Sequence, residues 1–209
     1  MDDQSWLGLL KQHKVIAVIR SPQESLGLKM AQAVAAGGIS LIEITWNSQN
    51  PGDLITKLRS QLPDCTIGAG TILNPSQLDE AIASQAQFIF SPHTNPLLIQ
   101  GAISAGVPMV PGALSPTEIV TAWQAGASCV KVFPSQAVGG ANYIKSLQGP
   151  LGQIPLIPTG GITLTNASEF LAAGAIAVGL SSKLFPRELI ATGDWQGITK
   201  LAKSVQENF

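Results

Sequence analysis

Phe88-Ile89-Phe90-Ser91 opens a stretch that runs through Asn95-Pro96 and Ala105-Gly106 to Val107-Pro108-Met109-Val110-Pro111, and its punctuation decides the fold. The short apolar start reads as a strand. Asn95 is an N-cap residue, and Pro96 suits the first helical position, where its missing N–H has no partner to lose. Gly106 ends the helix by supplying left-handed backbone. The next apolar run follows at once. The same beat extends in both directions, with apolar, β-branched runs at 15–19, 41–45, 66–69, 88–91, 107–111, 129–133, 156–159 and 175–180. Their spacing of roughly 20–26 residues is what one strand, a turn and a helix require. Ser21-Pro22, Asn50-Pro51, Asn74-Pro75 and Ser115-Pro116 repeat the helix-start signal, and Ala36-Gly37-Gly38, Ala125-Gly126 and Ala173-Gly174 repeat the stop.

Eight strand–helix units without a linker predict an α/β protein with the (β/α)8 (TIM) barrel architecture, one domain over residues 1–209. A doubly wound open sheet is the alternative, although it usually stops at five to seven strands, roughly. Trp6, Leu7, Leu9 and Leu10 lie before the first strand and predict an extra N-terminal helix that closes the bottom of the barrel.

Composition narrows the partners. The chain is 45% hydrophobic and 12% charged, with a formal net charge of −1 and scattered basic residues. These properties argue against nucleic acid or an anionic membrane as partner. No secretory signal or bilayer-spanning apolar run is apparent, and Cys65 and Cys129 sit in strand-like segments as reduced, buried thiols, so a cytoplasmic protein is expected. His13 and His93 are the only histidines, and neither stands in a metal-ligand pair, so no metal is expected.

Barrel active sites lie at the carboxyl ends of the strands. In Leu41-Ile42-Glu43-Ile44-Thr45, alternation turns Ile42 and Ile44 toward the helices and Leu41, Glu43 and Thr45 toward the axis. In Cys129-Val130-Lys131-Val132-Phe133-Pro134 the same rule points Lys131 inward, and Arg20 shares a face with Ile16 and Val18. A lysine amine sheltered from water is favoured in its neutral form and can attack a ketone to give a Schiff base. The competing reading of Lys131 is a packed stem with its ammonium in water, and of the pair a buried Glu43–Lys131 salt bridge.

Two loops look built for an anion. Pro158-Thr159-Gly160-Gly161 follows the seventh strand, and Gly179-Leu180-Ser181-Ser182 follows the eighth, where barrel enzymes commonly hold phosphate. Glycines let backbone N–H groups approach oxygens, and Ser182 can cap the next helix while offering its hydroxyl. Gly68-Ala69-Gly70-Thr71 is not a dinucleotide fingerprint, since Leu73 stands where the third glycine belongs; Thr71 reads instead as a hydroxyl donor.

Ile42-Glu43-Ile44-Thr45, Ile67-Gly68-Ala69-Gly70-Thr71, Phe90-Ser91-Pro92-His93, Pro111-Gly112, Val130-Lys131-Val132-Phe133-Pro134 and Pro158-Thr159-Gly160-Gly161 occur in an order and spacing that resemble the bacterial 2-keto-3-deoxy-6-phosphogluconate (KDPG) and 4-hydroxy-2-oxoglutarate (KHG) aldolases. The likeness covers nearly the whole chain. It implies a class I lyase without metal or organic cofactor, acting on a small phosphorylated keto acid and assembled as a homotrimer. It implies Lys131 as nucleophile, Glu43 as proton shuttle, Thr71 on the substrate carboxylate or ketone, and Pro92 and Phe133 as walls of the pyruvate pocket. Gly160, Gly161 and Ser182 would hold the phosphate, with Thr159 beside them. Family members often carry an arginine four residues after the glutamate; here that position is Asn47, and Arg20 stands where other members place one. Ser181 stands where glycine is common. Glu43-Ile44-Thr45-Trp46-Asn47-Ser48 resembles the phosphogalactonate aldolases, so a galactonate-type aldolase is one alternative and a non-catalytic phosphosugar-binding barrel another. His93 either touches substrate or simply caps a helix, and the structural role is the expected one.

Overall fold

The computed structural model describes residues 1–207. All strand pairing is parallel. The strands are β1 (Val15–Ile19), β2 (Leu41–Thr45), β3 (Thr66–Gly70), β4 (Ile89–Phe90), β5 (Met109–Val110), β6 (Gly112–Ala113), β7 (Val130–Val132), β8 (Leu156–Pro158) and β9 (Val178–Leu180). They form a six-stranded sheet ordered β5-β4-β3-β2-β1-β9 and a three-stranded sheet ordered β6-β7-β8. The helices are α1 (Asp3–His13), α2 (Glu24–Ala36), α3 (Pro51–Gln61), α4 (Pro75–Ala83), α5 (Pro96–Ser104), α6 (Pro116–Gln124), α7 (Ala141–Leu151), α8 (Ala167–Ala172), α9 (Arg187–Thr192) and α10 (Trp195–Gln206).

The run expected as a single fifth strand is split at Pro111, which has no N–H to give to a ladder. β5 belongs to one sheet and β6 to the other. The Pro111 carbonyl nevertheless accepts from Lys131 N–H at 2.9 Å, and Met109 O accepts from Ser128 N–H at 3.0 Å. At the opposite margin, Ile176 N–H donates to Leu156 O at 3.0 Å and Thr159 bridges Gly179.

Alternation along the strands produces two separate apolar clusters. Ile42, Ile44, Ile67, Val130 and Val132 pack with the helices. Ile16, Leu41, Phe88, Phe90, Val110, Cys129 and Ile157 pack on the other face, together with Trp6 and Leu10 from α1. The N-terminal helix expected from the sequence is present and packs against this second face. Trp6 is fully buried, stacks on Phe88 with ring centroids 4.8 Å apart, and gives its indole N–H to Cys129 Sγ at 3.4 Å. Burial pushes the Cys129 thiol up to about 12, so it remains an inert thiol.

Helix starts follow the sequence signals in most cases. Asn74 accepts from Gln77 N–H, Asn95 from Leu97 N–H, and Ser115 forms a capping box with Glu118. Ser21-Pro22 departs from expectation, because α2 begins at Glu24 after Gln23. Ser21 is used differently: its hydroxyl donates to Gln23 O and its N–H donates to Ser48 Oγ, tying the β1 and β2 loops together. Ser182 also caps no helix. α9 begins only after Pro186, whose ring disfavours helical backbone at the residue before it.

Truncating the plug tests this packing. Trp6→Ala should lower unfolding stability by about 3–5 kcal/mol in urea titrations; an unchanged midpoint would show that α1 contributes no core.

Candidate active site

Glu43 is placed by its neighbours in the sheet. It pairs in register with Val18 on one side and Gly68 on the other, two residue pairs before Thr45 meets Gly70. The glycines in β3 make the space. A Cβ at Gly70 would fall 1.7 Å from Glu43 Oε1, and one at Gly68 would fall 2.3 Å from the Phe88 ring. Gly70 makes room for the carboxyl group and Gly68 for the Phe88 ring, each at a cost to the strand. Glu43 is 1% exposed and its Oε1 has no hydrogen-bond partner among the described residues. Burial raises its carboxyl above the ordinary range, against the opposing pull of the Lys131 and Arg20 charges.

Lys131 is 6% exposed and pairs between Gly112 and Ile157. Its Nζ lies 5.6 Å from the Phe90 ring centre and 5.2 Å from that of Phe133. Phe90 in turn meets Phe88 edge-on at 5.6 Å, so aromatic rings run in contact from the Trp6 plug to the lysine. Among the described residues no salt bridge within 4.0 Å joins Glu43 to Lys131 or Arg20. The buried ion pair, open as a reading of the sequence, is not formed.

All ten residues singled out from the sequence line one cavity of about 450 Å³: Arg20, Glu43, Thr71, Pro92, Lys131, Phe133, Thr159, Gly160, Gly161 and Ser182. Thr71 closes β3 with φ +60°, a left-handed conformation that is costly for a β-branched residue. Pro92 rests on Gly112, where a Cβ would meet the Pro92 carbonyl carbon at 2.3 Å. Thr159 is buried against Gly179, and its carbonyl accepts from Ser135 N–H at 2.9 Å. Gly160 and Gly161 have φ +88° and +85°. The Gly160 carbonyl is held by Gln136 N–H and Ser135 Oγ, which leaves this loop a fixed turn rather than a slack one.

Ser182 lies in a turn closed by Leu184 N–H and Phe185 N–H, both donating to Ser181 O. Arg20 is exposed at the rim and also lines an adjoining cavity with Asn47 and Arg187. Asn47 faces that second cavity and is not a lining residue of the first. His93 lies outside the Lys131 cavity: Ser91 Oγ contacts its Nδ1 at 3.0 Å and donates to its carbonyl at 3.0 Å, a loop-holding arrangement. Among the described residues no group of three or more His, Cys, Asp or Glu side chains could hold a metal ion. No helix among them is long and apolar enough to cross a membrane.

Thr45, Thr163 and Lys183 also line the cavity and had been given no role. Thr45 follows Glu43 by two, and the alternation that turned Glu43 inward placed it on the same face. Nothing local marks Thr163 or Lys183, which reach the site only through the folding of the last two loops.

The chain matches the protein family described as Aldolase: KDPG and KHG aldolase over residues 8–201. It is 36% identical to a 2-dehydro-3-deoxy-phosphogluconate aldolase of Haemophilus influenzae, covering 94% of this chain and 92% of that one. It is 33% identical to the KHG/KDPG aldolase of Escherichia coli K12, covering 95% and 93%. Among solved structures, the KDPG aldolase of Legionella pneumophila with pyruvate captured as a covalent carbinolamine superposes with a TM-score of 0.88 at 32% identity, over 95% of this chain and 97% of the other.

Burial of Glu43 has a measurable consequence for stability. Above the ordinary carboxyl value of 4.5 and below its raised folded value, the folded protein keeps a proton that the unfolded chain has released. Stability contributed by this group is thus complete below 4.5 and is lost as pH rises through the folded value. Glu43→Gln, which does not titrate, should gain stability relative to the parent as pH rises through that window. A difference independent of pH would contradict the raised carboxyl.

Proposed function

Because the chain belongs to the KDPG and KHG aldolase family, we propose that the cavity around Lys131 performs class I aldol cleavage. The substrates are 2-keto-3-deoxy-6-phosphogluconate, split to pyruvate and glyceraldehyde 3-phosphate, and 4-hydroxy-2-oxoglutarate, split to pyruvate and glyoxylate. The observation that carries this reading is a buried lysine sharing a cavity with a buried carboxyl that does not neutralise it. The carbinolamine of the Legionella relative supports a covalent route here.

The free amine of Lys131 attacks the substrate C2 ketone, and Glu43 moves the protons that release water and leave an iminium. Glu43 then takes the C4 hydroxyl proton. The C3–C4 bond breaks, its electrons pass into the iminium to give an enamine, and the aldehyde departs. Protonation at C3 and hydrolysis release pyruvate and restore the amine. A carboxyl raised by burial suits both directions of transfer. Arg20 and Thr71 bind the substrate carboxylate, Arg20 supplying the charge that Asn47 lacks. Pro92 and Phe133 wall the pyruvate half. Gly160 and Gly161 N–H groups, with Ser182 and the neighbouring Thr159, receive the phosphate.

This reading extends to architecture. The two sheets together make one (β/α)8 barrel domain, supported by the hydrogen bonds across Pro111 and between the β8 and β9 segments. The working assembly is a homotrimer in the cytoplasm. The apolar side chains of Leu73 and Leu97, 48% and 72% exposed near the starts of α4 and α5, offer it a contact face.

Steady-state pyruvate release tests the reading. Lys131→Met should lose about 10³-fold or more in kcat, and Glu43→Gln about 10²–10⁴-fold. Arg20→Ala should act mainly by raising KM; an unchanged KM would eliminate its carboxylate role. Full activity in Lys131→Met would overturn the reading.

A further inference from the structure

The cavity contains one cation that the proposed cycle does not use. Lys183 lines it with Gly160, Gly161, Thr163 and Ser182, and forms no salt bridge among the described residues. Its backbone is fixed: the Ser181 carbonyl accepts from both Leu184 and Phe185 N–H groups, and those two side chains are buried. The lysine side chain itself remains exposed. Ser181 is not among the residues with positive φ, so this turn carries no left-handed strain.

Charge is what the glycine-loop end otherwise lacks. Its backbone N–H groups and hydroxyls are neutral donors that orient a phosphate without balancing it, and a phosphate monoester carries about −1.5 to −2 at neutral pH. The other cations of the cavity are Lys131, which must be a free amine to react, and Arg20, assigned to the substrate carboxylate. Glu43, the one acidic lining residue, lies in β2 and not on the β8 or β9 loops.

We infer that Lys183 is a specificity-determining residue, whose ammonium supplies the counter-charge for the phosphate and selects the phosphorylated six-carbon keto acid over the same skeleton without phosphate. This rests on the assignment of the glycine loop to the phosphate. As a point charge on a flexible stem, Lys183 contributes charge more than geometry, so arginine replaces it and salt weakens it.

The experiment compares kcat and KM for 2-keto-3-deoxy-6-phosphogluconate and for unphosphorylated 2-keto-3-deoxygluconate, in the parent, Lys183→Gln and Lys183→Arg, at low and high ionic strength. The ratio of the two kcat/KM values should fall about tenfold in Lys183→Gln, through KM for the phosphorylated substrate. Lys183→Arg should keep the ratio, and salt should reduce it in the parent more than in Lys183→Gln. A parent preference that survives unchanged in Lys183→Gln, or an equal loss on both substrates, overturns the role of Lys183 alone. A parent with no preference for phosphate overturns the glycine-loop assignment and this inference with it.

Discussion

A carboxyl group buried without a cation at ion-pair distance is the constraint on which the site depends. Glu43 is buried, and its Oε1 has no hydrogen-bond partner among the described residues. Had it closed on Lys131, each group would have satisfied the other, and neither would be free to handle a substrate. Keeping them apart in one cavity leaves the amine and the carboxyl that the proposed cycle uses unpaired with each other. The cost is borne nearby, in β3. Gly68 and Gly70 give up side-chain packing to admit Phe88 and the carboxyl, and Thr71 holds a left-handed backbone that typically costs about 1–3 kcal/mol.

The fold delivers these groups to one end and seals the other. Parallel strands bring their carboxyl termini to a common rim, so Arg20, Thr71, Pro92 and the glycine loop arrive there from separate units. At the opposite end Trp6 and Leu10 close the inner face. The contact series Trp6, Phe88, Phe90 connects that plug to Nζ of Lys131. The N-terminal helix thereby packs the apolar face that carries Phe90, the ring beside Lys131.

Much of this was legible in residue order because it follows from period-two alternation and turn chemistry. Alternation gave Glu43 and Lys131 their common face, and asparagine or serine before proline located α3, α4, α5 and α6. The strand ends were less accessible, since hydrogen-bond ladders depend on partners distant in sequence. Pro111 interrupts a ladder that its apolar neighbours would otherwise continue. Ser21 and Ser182 carry the chemistry of caps, yet Ser21 ties two loops and Ser182 lies in a turn ahead of a helix delayed by Pro186. Gly68-Ala69-Gly70 could be rejected as a nucleotide loop, but its purpose required knowing that Glu43 lies beside it. Lys183 had no local signal at all.

The most direct measurement joins pyruvate to the protein under borohydride and locates the reduced adduct by peptide mass mapping. A covalent pyruvate-derived mass on the peptide bearing Lys131, absent when Lys131 is replaced by methionine, is the outcome a Schiff-base lysine requires. No adduct, or an adduct on another lysine, would contradict it.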